Sequence, residues 1–218
     1  MQKIHISIEG NIGVGKSTLL SNIYKHFKKN EKVFCAWEPL HEWDNNGFLG
    51  DMYSKRIEHA EFQYMVISSM YHTSFMGLSK SEILIQERSM DAAFEVFTKN
   101  NVENSRSVEL LKYSYDKLKE SLEETFSSRK VRIYLKVPPF VAFCRVCQRS
   151  RSSESNMTEE YITAINDSYE EWLGLSCNTD EIIPIDASRS IEEVSQDVIR
   201  AISCFVQPNG LEPKKLFQ

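Results

Sequence analysis

The run Gly10-Asn11-Ile12-Gly13-Val14-Gly15-Lys16-Ser17 satisfies GxxxxGK[ST]. Its glycines let backbone N–H groups close around phosphate oxygens, and the helix expected to follow adds partial positive charge at its start. Lys16 would bridge the outer phosphates of a nucleotide, and Ser17 would hold Mg²⁺. Two acids stand just after short apolar runs, Glu38 in Trp37-Glu38-Pro39 and Glu87 in Glu87-Arg88-Ser89. An apolar strand ending in an acid is the pattern of a second Mg²⁺-contacting carboxylate, which assigns Glu87. Glu38 and Arg88 are then either working groups beside the phosphates or a buried structural ion pair.

These residues need a frame. Apolar runs at 3–9, 32–37, 82–86, 131–137 and 181–185 read as strands, separated by longer stretches of helical period. That alternation predicts an α/β fold, a five-stranded parallel sheet flanked by helices, with ligands at the carboxyl edge of its strands. Helical period is clearest in Leu19, Leu20, Ile23 and Phe27, and in Val108, Leu111, Tyr115, Leu118, Leu122 and Phe126. A last helix should open at Ser190, with Glu193 three residues on in capping-box spacing, and another near Asn156. Residues 1–206 are expected to form one domain, and 207–218, which have no period, a loosely held tail.

Composition narrows the classes. The 218 residues carry 26 Lys+Arg against 31 Asp+Glu, a formal charge of -5, so a sequence-independent nucleic-acid binder is disfavoured. No apolar run is long enough for a membrane span, and the start lacks the apolar stretch of a signal peptide. Cys35, Cys144, Cys147, Cys177 and Cys204 are odd in number and scattered, which favours a reducing, cytoplasmic setting over a disulfide framework. Cys144 and Cys147 form a CxxC with no second pair to complete four ligands, so ordinary helix positions are expected there. A signalling GTPase would need an NKxD base-reading element, which is missing. The DxxG match Asp44-Asn45-Asn46-Gly47 follows no apolar strand and is discounted.

The succession of short matches carries a resemblance. Glu9-Gly10-Asn11-Ile12-Gly13, Glu38-Pro39 with Trp43, Met52-Tyr53, Phe62-Gln63, Glu87-Arg88-Ser89 and the Arg145/Arg149/Arg151 segment ending at Glu154 resemble the deoxynucleoside kinase family. The matches run in order from about residue 3 to residue 190. The resemblance implies a P-loop kinase with an Arg-rich lid that moves the γ-phosphate of ATP, with Mg²⁺, to a deoxynucleoside 5′-hydroxyl, and that works as a homodimer; the aromatic-rich stretch 62–75 is material either for part of that interface or for the core.

It also implies roles. Glu38 would accept the hydroxyl proton, with Arg88 orienting that carboxylate and Lys16 on the phosphates. Gln63 would meet the Watson–Crick edge of the base, Trp43 and Phe97 would clamp it, and Met52, Phe62 and Val66 would complete the nucleoside pocket. For the aromatics plain core packing is the competing reading, and for Gln63 a surface helix position. Tyr53 and Glu154 would bind the sugar 3′-hydroxyl. Arg145, Arg149 and Arg151 would meet the triphosphate, unless they form a solvated face. Asp186-Ala187-Ser188 resembles the family's adenine-contacting loop.

Met70 and Ala93 stand where members preferring deoxycytidine and purines carry an arginine and an aspartate. An apolar pocket leaves room for the thymine methyl, so thymidine and other pyrimidines are the expected acceptors. The chain departs from the family where Met90-Asp91-Ala92-Ala93-Phe94-Glu95 replaces an Arg-aromatic pair, and where Cys147 replaces a lid arginine. Two rival functions remain. A thymidylate kinase would need extra cations beside its acceptor phosphate, where Glu38 is repulsive, and a non-catalytic nucleotide-binding regulator would not need Lys16, Ser17, Glu38 and Arg88 together.

Overall fold

A computed structural model describes residues 2–149, 151, 154, 157–175 and 181–206. The strands are β1 (Lys3–Glu9), β2 (Val33–Ala36), β3 (Ile83–Glu87), β4 (Ser128–Lys136) and β5 (Glu181–Asp186). They form one all-parallel sheet in the order β2-β3-β1-β4-β5. Around it lie α1 (Lys16–Phe27), α2 (Leu40–Asn45), α3 (Phe48–Tyr53) and α4 (His59–Lys80), then the short turns α5 (Met90–Ala92) and α6 (Lys99–Asn101) flanking a π-helical segment, Ala93–Thr98. The helices α7 (Ser105–Thr125), α8 (Pro139–Arg149), α9 (Glu159–Leu175) and α10 (Ile191–Val206) complete the described chain. The expected helix start at Asn156 and the expected tail 207–218 lie outside the described residues.

All five strands fall where the apolar runs predict them, with shifted ends. β4 begins three residues before the predicted run because Ser128, Arg129 and Lys130 pair with Lys3, Ile4 and His5. Their polar side chains carry no apolar signal, yet the backbone ladder continues through them. The Ser190 capping box is real: Glu193 N–H donates to Ser190 Oγ at 3.3 Å and Ser190 N–H to the Glu193 carboxylate at 3.1 Å.

Ile6, Ile8, Ile85, Val131 and Ile133 of the central strands pack against Leu19, Leu20 and Ile23 of α1 and Val198 and Ile202 of α10. A second core of Phe62, Val66, Ile67, Met70, Phe94, Leu111 and Tyr115 joins α4, α7 and the π-helical segment. Between these layers, β1 has a neighbour from each direction of winding, β3 on one side and β4 on the other. A crevice therefore opens at its carboxyl end, directly at the glycine loop.

The middle of the sheet also sets an acid limit. His5 Nε2 lies within hydrogen-bond distance of the Gln86 side-chain amide, at 3.2 Å. Burial pushes the imidazole down to about 4 from 6.5; Asp91 opposes this, while Lys130 and Arg132 add to it. The folded pKa is depressed, so this contribution to stability is complete above about 6.5 and is lost as pH falls through 4. Replacing His5 by Asn should flatten the fall in Tm between these pH values, and a difference of about 4–8 °C at the acid end corresponds to ~2 kcal/mol. Parallel Tm–pH curves for the two proteins would remove His5 as the cause.

Candidate active site

The glycine loop is held by its own backbone turns and by the side chains of Asn11 and Lys16. Gly10, Gly13 and Gly15 have φ of 138°, 84° and 100°, values that side chains with Cβ rarely adopt. Asn11 Nδ2 donates to the Ile162 carbonyl at 2.7 Å and so ties the loop to α9. The Lys16 ammonium donates to the carbonyls of Gly10 at 3.0 Å and Asn11 at 2.7 Å. Burial, helped by the Arg88 guanidinium, pushes Lys16 down to about 7 against the pull of Glu87, Glu38 and Glu9. An anion in the loop would favour its charged form.

Two neighbouring strands deliver the acids to the same edge. Glu38 follows β2 and Arg88 follows β3, and Arg88 Nη1 lies 2.5 Å from Glu38 Oε1 with both side chains buried. Arg88 Nε donates to the Tyr169 hydroxyl at 3.3 Å, and the guanidinium lies 4.4 Å from the Phe97 ring centre. Burial opposes the charge on Arg88, but Glu38 and Tyr169 outweigh it and raise its pKa, so it stays a cation. Its backbone φ is 57°, an unfavourable region for a residue with a Cβ and a recurrent feature of functional sites.

Beside this pair, Ser17 Oγ donates to Glu87 Oε1 at 2.5 Å. Burial and the nearby Glu38 push the Glu87 carboxyl up, against Lys16 and the Ser17 hydrogen bond. A hydroxyl and a carboxylate oxygen so close form a donor set that suits a hard cation completed by water and phosphate oxygens. Among the described residues no group of three or more His, Cys, Asp or Glu side chains gathers to hold a metal by itself, and Cys144 and Cys147 are positions on α8.

All of this opens into one cavity of about 990 Å³. Ile12, Gly13, Gly15, Lys16 and Ser17 of the glycine loop line it, with Glu87, Arg145, Arg149 and Arg151. Trp43, Met52, Tyr53, Phe62, Gln63, Val66, Ala93, Phe97 and Glu154 also line it, with Glu38 and Arg88. Gln63 is 3% exposed, yet its Oε1 has no hydrogen-bond partner, and neither has the buried Trp43 Nε1. A buried amide oxygen without a partner is costly unless a ligand or water meets it.

Some of the residues singled out from sequence do not reach the cavity. Gly10, Asn11 and Val14 belong to the loop but do not line the cavity. Met70 is fully buried in the core between α4 and α7, so it backs the pocket and does not line it. Asp186-Ala187-Ser188 stands outside as well, although Arg145 Nη1 donates to the Ala187 carbonyl at 3.1 Å and links that loop to α8. Arg149 is not spread toward the glycine loop: its Nε donates to Glu154 Oε2 at 2.7 Å, and Arg151 stands 3.6 Å from the same carboxylate.

Other lining residues escaped the sequence reading, among them His41, His59, Asn101 and Tyr161. Tyr53 is pushed up to about 12 by burial, with Tyr161 and Glu154 adding to it, so it acts as a neutral hydroxyl. The π-helical segment was also unforeseen. The Thr98 hydroxyl donates to the Ala93 carbonyl five residues back, at 3.0 Å, and Ala93 and Phe97 from this segment both face the cavity.

Comparison with known proteins agrees with this geometry. A family model described as "Deoxynucleoside kinase" matches residues 6–207. The "Putative kinase protein 029R" of Invertebrate iridescent virus 3 is 31% identical over 203 residues, 91% of this chain and 95% of that protein. The thymidine kinase of Ictalurid herpesvirus 1 (strain Auburn) is 30% identical over 199 residues, 89% of this chain and 84% of its own. In fold, a structure of deoxyadenosine kinase from M. mycoides, with the products dCMP and a flexible dCDP bound, superposes with a TM-score of 0.69 at 20% identity, over 92% of this chain and 99% of that one. With the family model covering nearly the whole described chain, this protein belongs to the deoxynucleoside kinase family and is a phosphotransferase with an alcohol group as acceptor.

Proposed function

We propose that this kinase moves the γ-phosphoryl group of ATP, with Mg²⁺, to the 5′-hydroxyl of a pyrimidine deoxynucleoside, with thymidine preferred. The observation that supports it most is the buried Glu38, oriented by Arg88 at 2.5 Å, in one cavity with Lys16 and with the unpartnered amide oxygen of Gln63.

In this reading the 5′-oxygen forms a bond to the γ-phosphorus as the bond to the ADP oxygen breaks, and Glu38 takes the hydroxyl proton. Arg88 keeps the carboxylate aimed and offsets charge on the transferring group. The loop N–H groups of 10–17, Lys16, Arg145, Arg149 and Arg151 hold the phosphates. Ser17 and Glu87 would hold Mg²⁺, which when bound would supply positive charge to offset that of the phosphates. Asp186-Ala187-Ser188 would meet the adenine through backbone groups.

On the acceptor side, the Gln63 amide offers an acceptor and a donor to the Watson–Crick edge of a pyrimidine. Trp43 and Phe97 would stack on the ring, with Met52, Phe62 and Val66 around it, and the small Ala93 leaves room for a methyl group. Met70 enters this argument only by keeping the wall apolar from behind. Tyr53 and Glu154 would bind the 3′-hydroxyl, Glu154 exchanging Arg149 for the sugar.

The same reading takes the protein as a cytoplasmic homodimer with no nucleic-acid or membrane partner. Tyr64 on α4 and Leu110 and Tyr113 on α7, exposed by 55%, 58% and 67%, are fitting material for an interface that includes residues 62–75. Among the described residues no helix is long and apolar enough to cross a membrane.

A transfer assay with ATP and Mg²⁺ over thymidine, deoxycytidine, deoxyadenosine, deoxyguanosine and thymidine monophosphate tests the reading. Thymidine should show the highest kcat/KM, deoxycytidine should follow, and the monophosphate should be inert. A purine leading the panel would overturn the pyrimidine pocket, and turnover of the monophosphate alone would overturn the role of Glu38 and favour the thymidylate kinase alternative. ATP hydrolysis without transfer to any nucleoside would also count against it.

A further inference from the structure

Beneath Arg88 lies a second group of buried charges that the transfer step itself does not use. Arg132, in the middle of β4, is 4% exposed and reaches under the turn that follows β3. Its guanidinium donates to Ser89 Oγ at 3.2 Å, pairs with Asp91, stands 3.6 Å from Glu9 Oε1 and lies 4.6 Å from the Trp172 ring centre. Asp91 in turn accepts the Tyr115 hydroxyl at 2.6 Å, which brings in α7.

These contacts meet on the backbone of Arg88. Its own N–H donates to the Ile8 carbonyl at 3.0 Å, and the next N–H, of Ser89, donates to Glu9 Oε1 at 3.1 Å. The peptides on either side of a left-handed residue are thus clamped to β1. Ser89 Oγ, which Arg132 also holds, caps the turn Met90–Ala92 by accepting the Ala92 N–H at 3.2 Å. Buried ion pairs are weak sources of stability, since apolar replacements of both partners are often as stable. An unfavourable backbone conformation, by contrast, persists only where its surroundings over-determine it.

We propose that Arg132 is a positioning residue for phosphoryl transfer, acting through Glu9, Ser89 and Asp91 to hold Arg88 in the left-handed conformation that aims its guanidinium at Glu38. The proposal rests on the role given to Arg88 above. It predicts that removing the Arg132–Asp91 pair disturbs the chemical step while leaving the glycine loop able to bind its nucleotide.

The test compares the full-length wild-type protein with Arg132→Met, the double variant Arg132→Met/Asp91→Asn, and Arg88→Gln. For each, kcat per folded molecule, KM for thymidine, Kd for ATP and Tm are measured well below the lowest Tm. Arg132→Met should lower Tm, because it strands the Asp91 charge, and should lower kcat by about 10–100-fold, the cost of misplacing a working group by about 1 Å. The double variant should regain Tm and keep the low kcat, with ATP Kd within about threefold of wild type in both. A kcat within threefold of wild type in the double variant overturns the proposal and leaves Arg132 a structural residue. So does a kcat loss matched by an equal loss of ATP binding, because the whole site would then have been lost. If Arg132→Met does not fold, the double variant decides alone. Unchanged turnover in Arg88→Gln would instead sink the role of Arg88, which separates that failure from the failure of Arg132.

Discussion

Glu38→Gln is expected to lower kcat by about 10²–10⁴, the usual worth of a positioned base, with ATP affinity nearly unchanged. The substitution keeps the shape of the side chain, and its amide oxygen can still accept from Arg88, which now reaches Glu38 Oε1 at 2.5 Å. What it removes is the ability to take a proton from the attacking hydroxyl. Glu38 also contributes to the upward push on Glu87 and to the positive-going pull on Lys16. Its neutralisation should ease Glu87 and slightly weaken the charged form of Lys16, two small and opposed effects on nucleotide binding. Steady-state turnover of thymidine beside a direct titration of ATP binding separates the two quantities. Turnover within a few-fold of wild type would show that another group takes the proton.

Gly13→Ala should have the second-largest effect, for a steric reason. At φ 84° an added Cβ would lie 2.4 Å from the Ala142 carbonyl oxygen and 2.9 Å from Val146 Cγ2, both on α8. Backbone strain of ~1–3 kcal/mol adds to a clash that can be relieved only by moving the loop or α8. Because α8 carries Arg145 and Arg149, either movement disturbs the donor side of the cavity. Tm should fall by about 5–10 °C, at ~2–4 °C per kcal/mol for a chain of this size, and ATP affinity should fall with it. Gly15→Ala is the control: its φ is 100°, but no atom lies within 4 Å of the added Cβ, so only the strain remains. Equal Tm losses in the two variants would show that contact with α8 is not what the glycine at 13 avoids.

The two predictions differ in how far the sequence supports them. The pattern GxxxxGK[ST] requires glycine at 10 and 15 and leaves 13 open, so the reason that α8 forbids a side chain at 13 comes only from the packing of the loop against α8. Glu38 and Arg88 are 50 residues apart. Each can be placed at a strand end from the apolar run before it, but their contact depends on β2 and β3 lying side by side in register.

Several features were legible because the interactions that make them are local. The glycine loop between strand and helix, the five apolar runs, the faces of α1 and α7 and the capping box at Ser190 are each set by neighbours within a few residues. α4 is the counterexample. Its Phe62, Gln63, Val66 and Met70 are buried while Tyr64 is exposed, and one part faces the cavity while another faces α7 and the sheet. With partners on several sides it shows only a weak apolar stripe, so its full extent is not apparent from period alone.

Spacing and local pattern suffice to read from the sequence the strand-loop-helix of the GxxxxGK[ST] pattern, the parallel sheet, and the carboxylate and arginine at its carboxyl edge. That Ala93 lines the cavity while Met70 lies behind it, and that Arg149 pairs with Glu154, follows from packing between elements distant in sequence. The same holds for the left-handed Arg88 backbone above the buried Arg132, Asp91 and Glu9. Those outcomes depend on how separate elements compete for the same buried space and the same charges, which no local pattern encodes.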